Sequence, residues 1–588
     1  MALTRLDLAR RPLLDGRPFG EAGAYEELTG EAEFAADPRH PLNSVIADLS
    51  LAPRDAQGCV RFDADVRILR PVKPLAGPRG LFLDVVNRGT SIFSRMLEPG
   101  PMGPSTAISE GFLLRRGFTI VSCGWQHDMP RGQGRFGLTA PLAVCAGQAL
   151  TGEVTTTRQI DLATDTLLLD SDYRPLDPTA GTLTERDDPG GPGRLIARER
   201  WRFVADPWRV HSLDGFVPGK TYDFTYTAEG APVTGIGLLG LRDLVSHLRQ
   251  TDGLDFAIAL GASQTGRLLR QMVHLGLCEG EDGRLVLDGV LAIAAGARMT
   301  EANWRFGQPS AQGAKSAVFP YTDAIQMEPR TGQTDGLMRR ALERGRLPRV
   351  MHLNTSSEYC SSAAITHISA ALAHITADGQ ADVDVPDNVR IYHCASTQHA
   401  PSPLPLGTGD VPTGRGVYYP NTIDYKPFVR AAVDRLSAWV TRGVDPPPSR
   451  YPRLGDGSLG RDLRPAVDAD GNEIGGVRHP DVSVPLATYS GSNPRHPSTG
   501  GAHLLVRATG ATIPFARTAG ERAARRDTRL SIAERYPSRE VFLERIGGAA
   551  TALVVEGYLL ADDVEPLVGA SARRWDEFMG LDSPLPRA

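Results

Sequence analysis

Residues 256–270 read FAIALGASQTGRLLR, and the stretch changes character twice. Phe256 to Leu260 form an apolar run suited to a strand buried on both faces of a parallel sheet. Gly261 permits a turn, and after Ser263 the residues Leu268, Leu269 and Met272 recur at helical spacing. The Ser263 hydroxyl is therefore expected between the C-terminal end of a strand and the N-terminus of a helix. Backbone N–H groups converge there, and a developing oxyanion needs such donors. The segment departs from the Gly-x-Ser-x-Gly pattern, because Thr265 takes the place of the second glycine and Gly266 follows it. A strand, a glycine turn and a serine also make an ordinary helix cap. What stands elsewhere in the chain decides between the two.

A serine hydroxyl is a poor nucleophile near neutral pH and requires a general base, itself oriented by a carboxylate. Two further strands supply candidates. RVMHLN at 349–354 runs into TSSEYC with Glu358, and VRIYHCA at 389–395 runs into STQHA with His399. Parallel strands present their C-terminal ends along one edge of a sheet, so Ser263, Glu358 and His399 are expected to meet in the order serine, acid, histidine. His352 and His393 lie inside strands and read as core or supporting residues, while His367 and His374 fall on one expected helix face. Asp323, Asp335, Asp384 and Asp387 lie in loops, and none directly follows a strand end as Glu358 does. Donors for an oxyanion are expected from the N–H of Gln264 and from the Asn87–Thr90 turn, with Arg88 and Gly89 as candidates. Trp125, in the loop WQHD, and Tyr359 are expected to face the substrate. His127 and Asp128 lack a third ligand, so no metal site is expected.

The 588-residue chain carries a net charge of −5 and 23% charged residues, ordinary values for a globular protein with a large core. No basic block interleaved with aromatics argues for nucleic acid. Arg522, Arg525, Arg526 and Arg529 are mixed with Glu521 and Asp527 and read as a solvated helix face. The six cysteines are scattered, without zinc-site spacing, and are read as reduced thiols. MALTRLDLARRPLLDG lacks an unbroken apolar core, and no run of about 18 apolar residues is present to span a membrane. A cytoplasmic location without membrane association is expected.

The pattern divides into a β-rich extension (1–78), an α/β core (79–124 and 233–445), a β-rich insertion (125–232), and a Pro/Gly-rich segment with a helical C-terminal region (446–588). Strands are expected at 44–51, 59–69, 80–86, 118–123, 285–294, 349–354 and 389–395, and helices near 104–116, 236–248 and 425–440. Residues 297–348 are polar and Gly/Pro-broken and read as a lid. The extension and the insertion are expected to pack together as an accessory β-layer. Ser531-Ile-Ala-Glu534 has the form of a capping box.

Taken in order, NSVIADLSLAPRDAQG, DVVNRG, GWQHDMP, GASQTGRLLR, NTSSEYC, RIYHCASTQHA and SIAERYPSREVFLERI resemble a bacterial family of large α/β-hydrolase-domain proteins regarded as serine esterases. The resemblance implies an α/β-hydrolase fold, a mostly parallel sheet flanked by helices, with Ser263, Glu358 and His399 as nucleophile, acid and base. It further implies ester cleavage through an acyl-enzyme, with a small-molecule ester as partner and no cofactor. Lactone or amide hydrolysis by the same triad, or an inert hydrolase-like binding protein, are the alternatives. Cys360 stands where the family often has an aromatic residue, which bears on pocket shape. A homo-oligomer is compatible with all of these readings.

Overall fold

The computed structural model describes residues 3–98, 108–169, 172–204, 209–311, 318–360, 368–407 and 416–581. Its frame is an eleven-stranded sheet. In chain order the principal strands are β1 (Leu3–Pro12), β2 (Tyr25–Ala36), β3 (Val60–Pro71), β4 (Gly80–Asp84), β5 (Thr119–Cys123), β6 (Phe256–Ala262), β7 (Gly289–Ile293), β8 (Arg349–Thr355), β9 (Val389–Ala395) and β10 (Val477–Arg478). They lie side by side as β1-β2-β3-β5-β4-β6-β7-β8-β9-β10, and Leu138–Thr139 adds a short strand beside β3. From β5 to β10 every pairing is parallel, whereas β1, β2, β3 and β5 pair antiparallel. The chain passes from β4 outward to β5 on one side and returns to β6 on the other. The crevice at the carboxyl ends of β4 and β6 is thus the reversal point at which open α/β sheets place their sites.

Alternation along the strands builds two cores. Phe256, Ile258 and Leu260 of β6 face one side, with α1 (Phe93–Leu97), α5 (Lys426–Arg442) and the C-terminal helices α6 (Arg539–Glu556) and α7 (Val564–Gly580). Ala257 and Ala259 face the other, where α2 (Ile236–Thr251) and α3 (Gln264–His274) pack through Leu239, Leu268, Leu269 and Met272. Between α3 and α5 in sequence lies the single-turn helix α4 (Ser356–Tyr359). Ser531 and Glu534 form the expected capping box, each side chain satisfying the other's backbone N–H.

The β-rich extension does not form an accessory layer with the insertion. β2 and β3 alternate buried and exposed residues, and their buried set, including Phe34, Phe62, Ala64 and Val66, faces the same core as α2, so they prolong the central sheet. Among the described residues the insertion builds its own antiparallel sheets, one of four strands and two of three, and Leu183, Trp201, Phe216, Tyr222 and Phe224 form its core. Residues 44–51 are turns ending in a short 3₁₀ helix, not a strand, because the buried Ile46 and Leu49 are three apart and cannot share one face of an extended chain. Of the helix expected near 104–116, residues 104–107 lie outside the described residues, and the remainder holds only a 3₁₀ turn at Leu114–Arg116. No helix among the described residues is long and apolar enough to cross a membrane.

Candidate active site

Ser263 sits on the turn between β6 and α3 with φ +58° and ψ −114°. Such a conformation costs an L-residue on the order of 1–3 kcal/mol and persists only where its surroundings impose it. Two glycines allow the sharp crossing. A Cβ on Gly261 would stand 2.3 Å from the Thr265 carbonyl oxygen, and one on Gly266 would stand 2.6 Å from the Ile293 carbonyl oxygen of β7. The irregular motif thereby acquires a reason: the close helix–strand contact falls at 266, and Thr265 has a separate task. Its hydroxyl donates to the Ala262 carbonyl at 3.1 Å and accepts the Ala262 N–H at 2.9 Å, pinning the strand end. The Ser263 N–H donates to the Ile293 carbonyl at 2.8 Å.

The three residues expected from different strand ends are in contact. His399 Nε2 lies 2.9 Å from Ser263 Oγ, and His399 Nδ1 lies 2.6 Å from Glu358 Oε1. With the proton on Nδ1 both contacts are satisfied, Nδ1–H donating to the carboxylate and Nε2 accepting from the serine O–H. Glu358 is also the third residue of a capping box on α4: its Oε2 accepts the Thr355 N–H at 2.8 Å and the Thr355 hydroxyl at 2.6 Å. Burial pushes the Glu358 carboxyl up, but the charge and hydrogen bond of His399 together with the Thr355 donors outweigh it and hold the group below its ordinary value. The His399 backbone is tied at both ends, its N–H to Ser357 Oγ at 3.1 Å and its carbonyl to the Tyr425 hydroxyl at 2.7 Å.

Gln264 opens α3, so its N–H lacks an acceptor within the helix. In the facing turn Asn87 and Thr90 consume each other's N–H groups, and the Asn87 side chain reaches the Ala262 carbonyl at 3.1 Å, setting Arg88 and Gly89 beside the elbow. Arg88 and Gly89 both have positive φ. The Arg88 guanidinium bonds the Ser310 carbonyl at 3.0 Å.

Trp125 and Tyr359, expected to face the substrate, are both buried and held by hydrogen bonds within the protein. Trp125 is fully buried, with its indole N–H donated to the Val86 carbonyl at 2.7 Å, so it braces the end of β4 from beneath. Tyr359 is buried under the sheet edge with its hydroxyl 2.8 Å from His374 Nε2 and its ring edge-on to His393. Both are large apolar residues next to a functional loop, and their anchoring atoms are invisible in the sequence. His352 pairs with Asp323 at 2.9 Å and His393 with Glu473 at 2.8 Å, both buried. His367 lies outside the described residues, and His374 is at the end of a 3₁₀ turn. Among the described residues no group of three or more His, Cys, Asp or Glu could hold a metal ion.

Several residues around the site carry no sequence motif. Ser310 receives the Gln126 amide at 3.0 Å and donates its N–H and hydroxyl to Asp128 at 2.8 and 2.9 Å. Pro309 accepts from the Gln264 side chain, and Gln308 reaches the Thr155 carbonyl of the insertion at 2.9 Å. Residues 308–310 thus join the Arg88 turn, the WQHD loop, the elbow helix and the insertion. Two signals are readable in the sequence: WQHD follows a core strand, and residues 308–310 fall within the Gly/Pro-broken 297–348 segment read as a lid.

No curated protein matches the chain. The family model described as an alpha/beta hydrolase domain matches residues 238–569, a span that takes in the elbow, both partner loops and most of the C-terminal helical region. The chain belongs to this alpha/beta hydrolase domain family.

Proposed function

We propose that the protein is a serine hydrolase that cleaves carboxylic esters through an acyl-enzyme. The observation that carries this reading is the His399 imidazole, which bridges Ser263 Oγ at 2.9 Å and Glu358 at 2.6 Å. His399 accepts the Ser263 proton as the oxygen attacks the ester carbonyl, then donates it to the departing alcohol. Water deprotonated by His399 adds to the acyl-enzyme, and collapse returns the free acid and Ser263. Glu358 holds the tautomer and stabilises the imidazolium that forms in both halves. The N–H of Gln264 and one from Arg88–Gly89 receive the oxyanion; each such donor contributes about 2.7–4 kcal/mol to transition-state stabilisation.

A fluorophosphonate probe tests the nucleophile, with labelling of Ser263 and its loss in Ser263→Ala as the expected result. Absence of labelling in the folded wild-type protein would favour a binding protein over an enzyme. Graded p-nitrophenyl esters, lactones and amides, offered side by side, test the substrate class, and faster turnover of an amide or lactone would move the assignment to that class.

A further inference from the structure

The residues flanking Ser263 carry a charge imbalance that ester hydrolysis by itself does not require. Arg267 is one helical turn beyond the serine, and helical side chains lean toward the N-terminus, here toward the elbow. Its Nε donates to the Ser263 carbonyl at 3.3 Å, and its side chain is 3% exposed as a residue. Arg298 follows β7, the strand between those that deliver Ser263 and Glu358. It is 8% exposed, and its Nη1 is buried without a hydrogen-bond partner among the described residues. The same loop approaches the acid: a Cβ on Gly296 would stand 3.7 Å from Glu358 Cβ. Among the described residues neither Arg267 nor Arg298 has a carboxylate within ion-pair distance, while Arg242, Arg430 and Arg574, also buried, each have one.

Burial pulls both guanidinium groups below their ordinary pKa, Arg298 to about 10, and for Arg267 the charges of Arg298, Arg507 and Arg88 add to the effect. The one carboxylate that opposes it for both is Glu358, already committed to His399 and Thr355. Burying a cation without a counter-charge is costly, and an arriving anion relieves the cost. Planar guanidinium groups match a carboxylate in two-point geometry.

We propose that Arg267 and Arg298 form an anion-recognition subsite beside Ser263, and that the substrate is an ester carrying a free carboxylate a few bonds from its scissile carbonyl. The inference rests on the esterase reading above. Monomethyl glutarate and dimethyl glutarate share a skeleton and differ in charge, so the wild-type protein alone supplies the first test. kcat/KM is expected to be at least tenfold higher for the monoester, and this ratio to fall at least tenfold in Arg298→Met and in Arg267→Met while Arg298→Lys retains part of it. A ratio near one in the wild type, or a ratio that both methionine variants leave unchanged, overturns the subsite. Hydrolysis of dimethyl glutarate without preference would do so while leaving the esterase intact. If neither ester is cleaved and Ser263 resists the fluorophosphonate, the esterase reading fails instead, and calorimetry with glutarate decides the subsite: binding that Arg298→Met abolishes upholds it, and no binding removes it. Inorganic phosphate binding more tightly than glutarate would overturn the assignment to a carboxylate.

Discussion

Strand β9 places one histidine inside the sheet and delivers a second just past its end, and each meets a glutamate. His393 Nε2 lies 2.8 Å from Glu473, and His399 Nδ1 lies 2.6 Å from Glu358. The surroundings separate them. His393 is fully buried, and its Nδ1 has no partner among the described residues. Glu473 Oε2 also accepts the Ser356 hydroxyl at 2.5 Å and the Ser396 N–H at 2.6 Å. That pair joins the start of α4 to the loop carrying His399 and has no reactive hydroxyl to serve. His399, 24% exposed at its side chain, holds its second nitrogen against Ser263. The same two side-chain types make a structural clamp where both are enclosed and, in the mechanism proposed above, a base with its orienter where one nitrogen is turned to a hydroxyl.

The largest effects are expected at the second pair and at Ser263, the serine that His399 contacts. Ser263→Ala is expected to lower kcat on the order of 10⁴–10⁶-fold with little change in the thermal midpoint; a folded variant with full turnover would end the proposal. Glu358→Gln keeps the shape of the carboxylate but not its charge, and kcat is expected to fall about 10⁴-fold. Glu473→Gln should reverse the balance, costing about 1–3 kcal/mol in denaturant unfolding and less than tenfold in kcat. If the two glutamine variants prove alike in both measurements, the division between clamp and base collapses. Tyr425→Phe removes one bond to the His399 carbonyl and is expected to cost about 1 kcal/mol and a few-fold in kcat.

The smallest effect belongs to Glu534, which is not part of either pair. The Ser531 hydroxyl and N–H, then Arg522, hold its carboxyl at about 2, below the ordinary 4.5. A depressed folded-state value means its stabilisation is present above about 4.5 and is lost as pH falls toward about 2. Glu534→Gln should therefore flatten the acid limb of stability in that window, read by denaturation at stepped pH.

Much of this arrangement is legible in the sequence because the information is local. The β6 run, the Gly261 turn and the spacing of Leu268 and Met272 specify strand, elbow and helix without help from distant residues. Strands β8 and β9 announce themselves in the same way, and parallel pairing then brings Glu358 and His399 to the same edge. What stayed hidden depends on non-local contacts. Glu473 sits in a Pro/Gly-rich segment with no periodicity, and nothing in that segment indicates that β10 closes beside β9. Trp125 and Tyr359 resemble pocket residues until Val86 and His374 are seen to hold them. The extension and the insertion share a period of two, so alternation reveals strands in both but not which sheet each one joins.

Thr265 has a consequence for attempts to improve the protein by analogy. Restoring Gly-x-Ser-x-Gly with Thr265→Gly would regularise the motif on paper. It would also delete both hydrogen bonds to Ala262 and place a second flexible residue beside Gly266. A residue that looks like a defect in the pattern is a fastener, and the glycine requirement belongs to the point where two backbones cross, not to a fixed offset from the serine. Variants designed from the motif would loosen the reactive turn; variants designed from the crossing would leave Thr265 alone.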